Sequence, residues 1–165
     1  MSQQPGGTLV VDANVLIDYV NADSEILALI NRHLGAIYVP SPVLAEVKQL
    51  SPKEAKRLGI QVIEPSFSQA TEAATRRGPI SFQDRLCLIV ARENNWACLT
   101  NDKPLRKACQ QTGVACIWGL EAMGILVDNG HLQSQRAAEI AERIASSNPA
   151  ITKAVLKRFY ERLGR

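Results

Sequence analysis

Apolar residues recur along this chain in two alternating rhythms. Short runs rich in β-branched residues are followed by stretches in which apolar positions return every three or four residues. The first run is Leu9-Val10-Val11, and Val15, Leu16, Tyr19 and Val20 follow it at helical spacing. Runs at 37–39, 60–63, 96–99 and 114–118 predict four more strands. Ser24 stands as the N-cap of a second helical pattern carrying Ile26, Leu27, Ile30 and Leu34. Ser41-Pro42 opens a helix expected to run through VLAEVKQL, with Val43, Leu44 and Val47 inward and Glu46 in its second turn. A short helix follows Ser51-Pro52, and 66–77 is moderately amphipathic. Ser81 caps a largely buried helix carrying Leu86, Leu88, Ile89 and Val90. The pattern at 103–111 tolerates Pro104 in its first turn and stops at Gly113.

Strand and helix alternate through residue 118 with no hairpin signal between strands. That order predicts a three-layer α/β fold, with a central five-stranded parallel sheet flanked by helices on both faces. It also predicts two units: residues 1–132, holding the sheet, and a C-terminal helical extension at 133–165. Ile140, Ile144, Ile151, Val155, Leu156, Phe159 and Leu163 of the extension must cover the core, a second copy of the chain or a partner.

Composition narrows the class. With 46% hydrophobic and 21% charged residues over 165 positions, the chain reads as a soluble globular protein. No apolar run approaches the ~18 residues of a membrane span. MSQQPGG has neither the basic start nor the apolar stretch of a secretory signal, so a cytoplasmic protein is expected. Cys87, Cys98, Cys109 and Cys116 form no CxxC pair, and His33 and His131 fit no zinc-finger spacing. Each cysteine sits in an apolar segment, which predicts buried, reduced thiols. Residues 134–165 hold seven basic against three acidic side chains, while the rest of the chain holds twelve against thirteen. The basic tail either faces a polyanion or is a solvated helix face.

Four acidic residues change the picture. Asp12 directly follows the first strand, and Asp102 lies three residues past Leu99 in the fourth. Glu46 and Asp84 fall in the opening two turns of apolar helices. In an open α/β sheet, ligands bind beyond the carboxyl ends of the strands, where the strand order reverses. A reversal between the first and fourth strands would bring Asp12 and Asp102 together, with Glu46 and Asp84 aimed at the same crevice. Each acid also has a local reading: Asp12 and Asp102 as helix caps, Asp84 as a first-turn acid favoured by the helix dipole, Glu46 as a surface residue. Converging carboxylates ionise together only when a cation compensates them. All-oxygen ligands suit Mg²⁺ or Mn²⁺, and such ions activate water for phosphodiester hydrolysis. Asn14, Thr100 and Asn101 are candidate supports for the carboxylates, and Asp18 reads as a solvated helix residue.

The stretches VVDANVLIDY, SPVLAEV with Glu46, SFQDRLCLIVA with Asp84, and LTNDKPLR with Asp102 together resemble the PIN-domain nucleases, over about residues 8–118. Among them the chain is most similar to small prokaryotic members, including the VapC-type toxins of toxin–antitoxin pairs. The resemblance implies a Rossmann-like fold and a Mg²⁺- or Mn²⁺-dependent ribonuclease, commonly a homodimer, with RNA as substrate and, for a toxin, an antitoxin protein as partner. It implies Asp12, Glu46, Asp84 and Asp102 as the catalytic quartet, with Asp12, Asp84 and Asp102 as metal ligands. Thr100 matches a hydroxyl residue that the family often places two before the last aspartate. The family often has a further acid just after that position; here Lys103, Pro104 and Leu105 follow. The chain also extends beyond the usual toxin length, by its two tail helices. Lys103 and Arg106 are candidates to hold the RNA backbone, and the aromatic content of 5% argues against base stacking as the main means of binding. The alternative function is a catalytically silent binding module. A phosphatase of the haloacid dehalogenase type would want an aspartate two residues past Asp12, where Asn14 stands.

Overall fold

A computed structural model describes residues 7–165. Five strands, β1 (Thr8–Val11), β2 (Ala36–Pro40), β3 (Gln61–Ile63), β4 (Ala97–Thr100) and β5 (Cys116–Trp118), form one parallel sheet in the order β3-β2-β1-β4-β5. The order reverses between β1 and β4, which meets the condition for Asp12 and Asp102 to lie together. Leu9, Val10 and Val11 are fully buried, the signature of a strand covered on both faces. The register pairs Val10 with Cys98 and Val11 with Leu99. The residues just past the pair, Asp12 and Thr100, therefore emerge side by side at the carboxyl edge.

The helices form two packed groups. One contains α3 (Ser41–Ala45), α5 (Phe67–Thr75), α6 (Phe82–Asn94) and α7 (Lys103–Thr112). The other contains α1 (Ala13–Asp23), α2 (Glu25–His33), α8 (Gly119–Asp128), α9 (Ser134–Ser147) and α10 (Lys153–Arg162). A short α4 (Pro52–Arg57) connects α3 to β3. One apolar cluster runs from Leu9 through Met123 to Ile144 and Phe159, so the last helices share the core of the sheet. Arg162 fastens them with fork-like contacts to Glu121 (2.8 Å) and Asp128 (2.7 Å) on α8. Arg136 pairs with Asp23, and Arg143 donates to the Ala22 carbonyl at 3.1 Å. Part of the tail's positive charge thus fastens it to the core.

Three expectations need correction. Ser24 does not cap α2: its backbone stays helical (φ −61°, ψ −23°), and Asp23 Oδ1 accepts from the Glu25 N–H at 3.1 Å instead. The helix opening at Ser41 stops at Ala45 rather than running to Leu50. Glu46 and Val47 donate to Val43 and Leu44 at 3.1 and 2.9 Å, tightening the last turn into a bend that buries Val47 and Leu50. Glu46 therefore lies just past the helix, not in its second turn. Asp18 is buried rather than solvated, and accepts from Asn148 Nδ2 at 2.8 Å.

Candidate active site

Asp12 is the N-cap of α1. One carboxylate oxygen accepts from the Val15 N–H at 2.9 Å, and the other accepts from the Thr100 hydroxyl. The cap reading of Asp12 is thus correct as far as it goes, but a cap residue is ordinarily exposed, and Asp12 is 1% exposed. Burial pushes its carboxyl up to about 7 against the pull of both hydrogen bonds, and the charges of Asp84 and Asp102 add to the push.

Asp102 caps α7 in the same way, accepting from the Leu105 N–H at 3.0 Å. Its own N–H donates to Thr100 Oγ1 at 3.0 Å. The fully buried Thr100 hydroxyl thus joins Asp102's backbone to Asp12's carboxylate. Asp84 stands in the first turn of α6, where the Ser81 cap accepts from its N–H at 3.1 Å. Its carboxyl is pushed up to about 6 by burial first, then by the charges of Asp102 and Glu46. Glu46 is exposed at the end of α3 and acts on Asp84 from the rim. Beneath the acids the buried Cys87 thiol is held well above its usual range, by burial and then by Asp12 and Asp84. All four cysteines are free, and Cys87, Cys98 and Cys109 are buried.

The four acids are therefore electrostatic neighbours at one edge of the sheet. Among the described residues, no three His, Cys, Asp or Glu side chains stand close enough together to hold a metal ion as arranged. Asp12 and Asp102 have local causes for this, since each directs carboxylate oxygen toward a backbone N–H. The donor set itself is all oxygen, the kind that suits a hard divalent cation, and Asp12 and Asp84 are raised by burial first and by the neighbouring acids after it.

Asn14 is exposed beside this edge, and Asn101 is buried with its Oδ1 lacking a hydrogen-bond partner. Both line a small cavity of about 290 Å³ that also holds Asp18, Asp102 and Asn148. Asp18 is pushed up by burial and drawn back by hydrogen bonds from Asn148 and Asn101. Lys103 is exposed and Arg106 half-buried. A cavity of about 630 Å³ opens on the α6–α7 side, where Arg76, Arg77, Arg85, Lys103 and Lys107 stand over Leu88 and Pro104 with no acid among the lining residues. A second cavity, of about 490 Å³, lies on the α10 side and shares Asp102 and Lys103 with the site. The sequence indicates Lys103 and Arg106 but not Arg76, Arg77, Arg85 or Lys107. Their charges are scattered over three segments, which come together only as the lining of this one cavity.

Comparison with solved structures gives a fold. The chain is similar to a PilT N-terminus (PIN) domain protein from the hyperthermophilic archaeon Sulfolobus solfataricus, with a TM-score of 0.57 and 15% sequence identity. The match covers 76% of this chain and 94% of that one. The fold is that of a PIN domain. No family model and no curated protein sequence matches the chain. Among the described residues no helix is long and apolar enough to cross a membrane.

Proposed function

We propose that this chain is a Mg²⁺- or Mn²⁺-dependent endoribonuclease that hydrolyses RNA phosphodiester bonds at the carboxyl edge of the sheet. The observation that carries this reading is Asp12: a buried carboxyl at the point where the strand order reverses, its proton affinity raised further by Asp84 and Asp102. The PIN-domain fold and the acid-free basic cavity beside Asp102 support it. Asp12, Asp84 and Asp102 would hold the ion, which when bound supplies neutralisation of the phosphate and a more acidic water.

The remaining work falls to the chain's own residues. Thr100 fixes the Asp12 carboxylate by donating to it, so that this ligand does not rotate into solvent. Glu46, exposed at the rim, takes the proton from the attacking water. Lys103, Arg106 and Lys107 hold the phosphates on either side. Contacts of this kind act through charge, so affinity falls steeply with salt.

The test is cleavage of a labelled RNA panel by wild type and Asp12→Asn in EDTA, Mg²⁺ and Mn²⁺, with two independent preparations of each. Metal-dependent cutting by wild type, lost in the variant, is expected. One observation favours a second reading, a catalytically silent RNA-binding module: both Asp12 oxygens already have protein donors. Retention of RNA without cutting in any metal would establish that reading and overturn the first.

A further inference from the structure

The cavity of about 490 Å³ beside Asp102 has two origins in the chain. Asn101, Lys103, Arg106 and Trp118 come from the sheet's edge and α7, while Ala150, Thr152, Val155 and Arg158 come from α10 and the turn before it. The last helix is therefore a wall of this cavity as well as a cover for the core. We propose that the cavity is a subsite for one unpaired nucleotide of the RNA strand next to the scissile phosphate. Its base lies against Trp118, and its phosphate lies between Arg106 and Arg158. The proposal rests on the endoribonuclease reading and adds to it what the helical extension recognises.

Four observations carry it. The volume falls within the roughly 300–1,000 Å³ of pockets that enclose a small ligand. The cavity includes Asp102 and Lys103, so whatever occupies it is continuous with what reaches the acids. Among the described residues, no ion pair joins Lys103, Arg106 or Arg158 to a carboxylate, whereas Arg57, Arg92, Arg136 and Arg162 are all paired. The buried Arg106 Nε and Asn101 Oδ1 have no hydrogen-bond partner, and Asn101 is only 8% exposed. A half-buried indole beside arginines that have no carboxylate partner is the arrangement on which a base stacks while its phosphate is held. A duplex keeps its bases stacked on one another and presents none to such a wall.

The experiment reads Trp118 directly. The chain has two tryptophans, and Trp96 stacks on Tyr38 at 4.6 Å, so Trp96→Phe leaves one indole and preserves that contact. In an Asp12→Asn, Trp96→Phe protein, which binds without cutting, a labelled single-stranded ribo-octamer is titrated. Indole emission and label anisotropy are recorded together. Quenching of Trp118 by the single strand, and none by the same octamer in a duplex, is expected. Arg158→Gln, an exposed position that folding does not need, should weaken binding by about 5-fold or more. Trp118→Ala should weaken it by about 5- to 100-fold, with Trp118→Phe restoring most of the loss. If the octamer binds without quenching, Arg158→Gln binds as tightly and wild type still cuts RNA, the subsite falls and the nuclease stands. If RNA is neither bound nor cut, both fall.

Discussion

The Thr100 hydroxyl donates to the Asp12 carboxylate from the neighbouring strand, at the level where β1 and β4 end. Replacing Thr100 by Val removes that donor, and with it the acceptor for the Asp102 N–H. Because the hydrogen bond draws the Asp12 carboxyl down, its loss should raise the pH at which Mn²⁺ binds by roughly half to one unit. Stability should fall by about 1–3 kcal/mol, the cost of leaving buried polar groups unmet. Thr100→Ser should restore both. Isothermal titration with Mn²⁺ between pH 5.5 and 8.5 measures the first effect and thermal unfolding the second. An unmoved Mn²⁺ profile in Thr100→Val would show that the hydroxyl does not govern Asp12.

The same titration on wild type has a definite sign. Asp12 and Asp84 hold protons up to about 7 and 6 in the metal-free chain. Ligation requires them ionised, so metal affinity should climb from pH 5.5, level off above about 8, and be accompanied by proton release on binding below pH 7. Flat affinity across that range would place the metal elsewhere.

Asp12 also links stability to pH. Its carboxyl binds a proton more tightly in the folded chain (about 7) than its ordinary value of 3.8. That contribution to stability is complete below pH 4 and is lost as the pH rises through 7, a change of the order of 4 kcal/mol at most. Asp12→Asn carries no such charge. In EDTA at pH 8 the variant should melt several degrees above wild type, and at pH 4 the two should coincide. Mg²⁺ should narrow the pH 8 gap by stabilising wild type. A variant that melts lower than wild type at pH 8 would contradict the burial of an uncompensated charge.

Gly119 makes room for a site residue. A Cβ there would stand 2.6 Å from Asn101 Oδ1 and 2.7 Å from Nδ2. Gly119→Ala should therefore displace Asn101, weaken its hydrogen bond to Asp18 and cost about 1–3 kcal/mol, read as a drop in melting temperature. Gly113→Ala serves as a contrast: nothing stands near its Cβ, and the cost there comes from the left-handed backbone at φ +73°. RNA binding by Gly119→Ala should weaken, while Gly113→Ala at equal stability should bind as wild type does.

The basic cavity gives a salt test. Arg77→Gln and Lys107→Gln should each lower RNA affinity and reduce the slope of log affinity against log salt by about 0.7 for each phosphate no longer neutralised. Filter binding at four salt concentrations measures the slope. Unchanged slopes in both variants would remove this cavity from the RNA path.

What is legible in the sequence follows from how local each signal is. β1 and the turn to α1 are legible because a β-branched run, an aspartate and a change of period lie within a dozen residues. Strand order is not written in the sequence; the placement of Asp12 and Asp102 says only what a reversal between the first and fourth strands would bring together, and the sheet has that reversal. The position of Glu46 is not legible, because Leu44, Val47 and Leu50 fit a helix as well as they fit the bend that buries them. Asp18 reads as solvated because its partner, Asn148, is 130 residues away in sequence. The basic cavity and the Trp118 wall are invisible for the same reason, being products of tertiary packing. The apolar residues of the tail leave three possible covers open, and the shared cluster with Met123 and Phe159 supplies one.

The Arg162 clasp bears on how the gene can be cut for expression. A reading frame stopped before α10 would leave Glu121 and Asp128 without their shared cation and would strip an apolar face from α8. Such a fragment should collect in inclusion bodies, although every acidic residue of the site lies well upstream of the cut. Shortening this chain to its sheet would therefore cost solubility before it touched any acidic residue of the site.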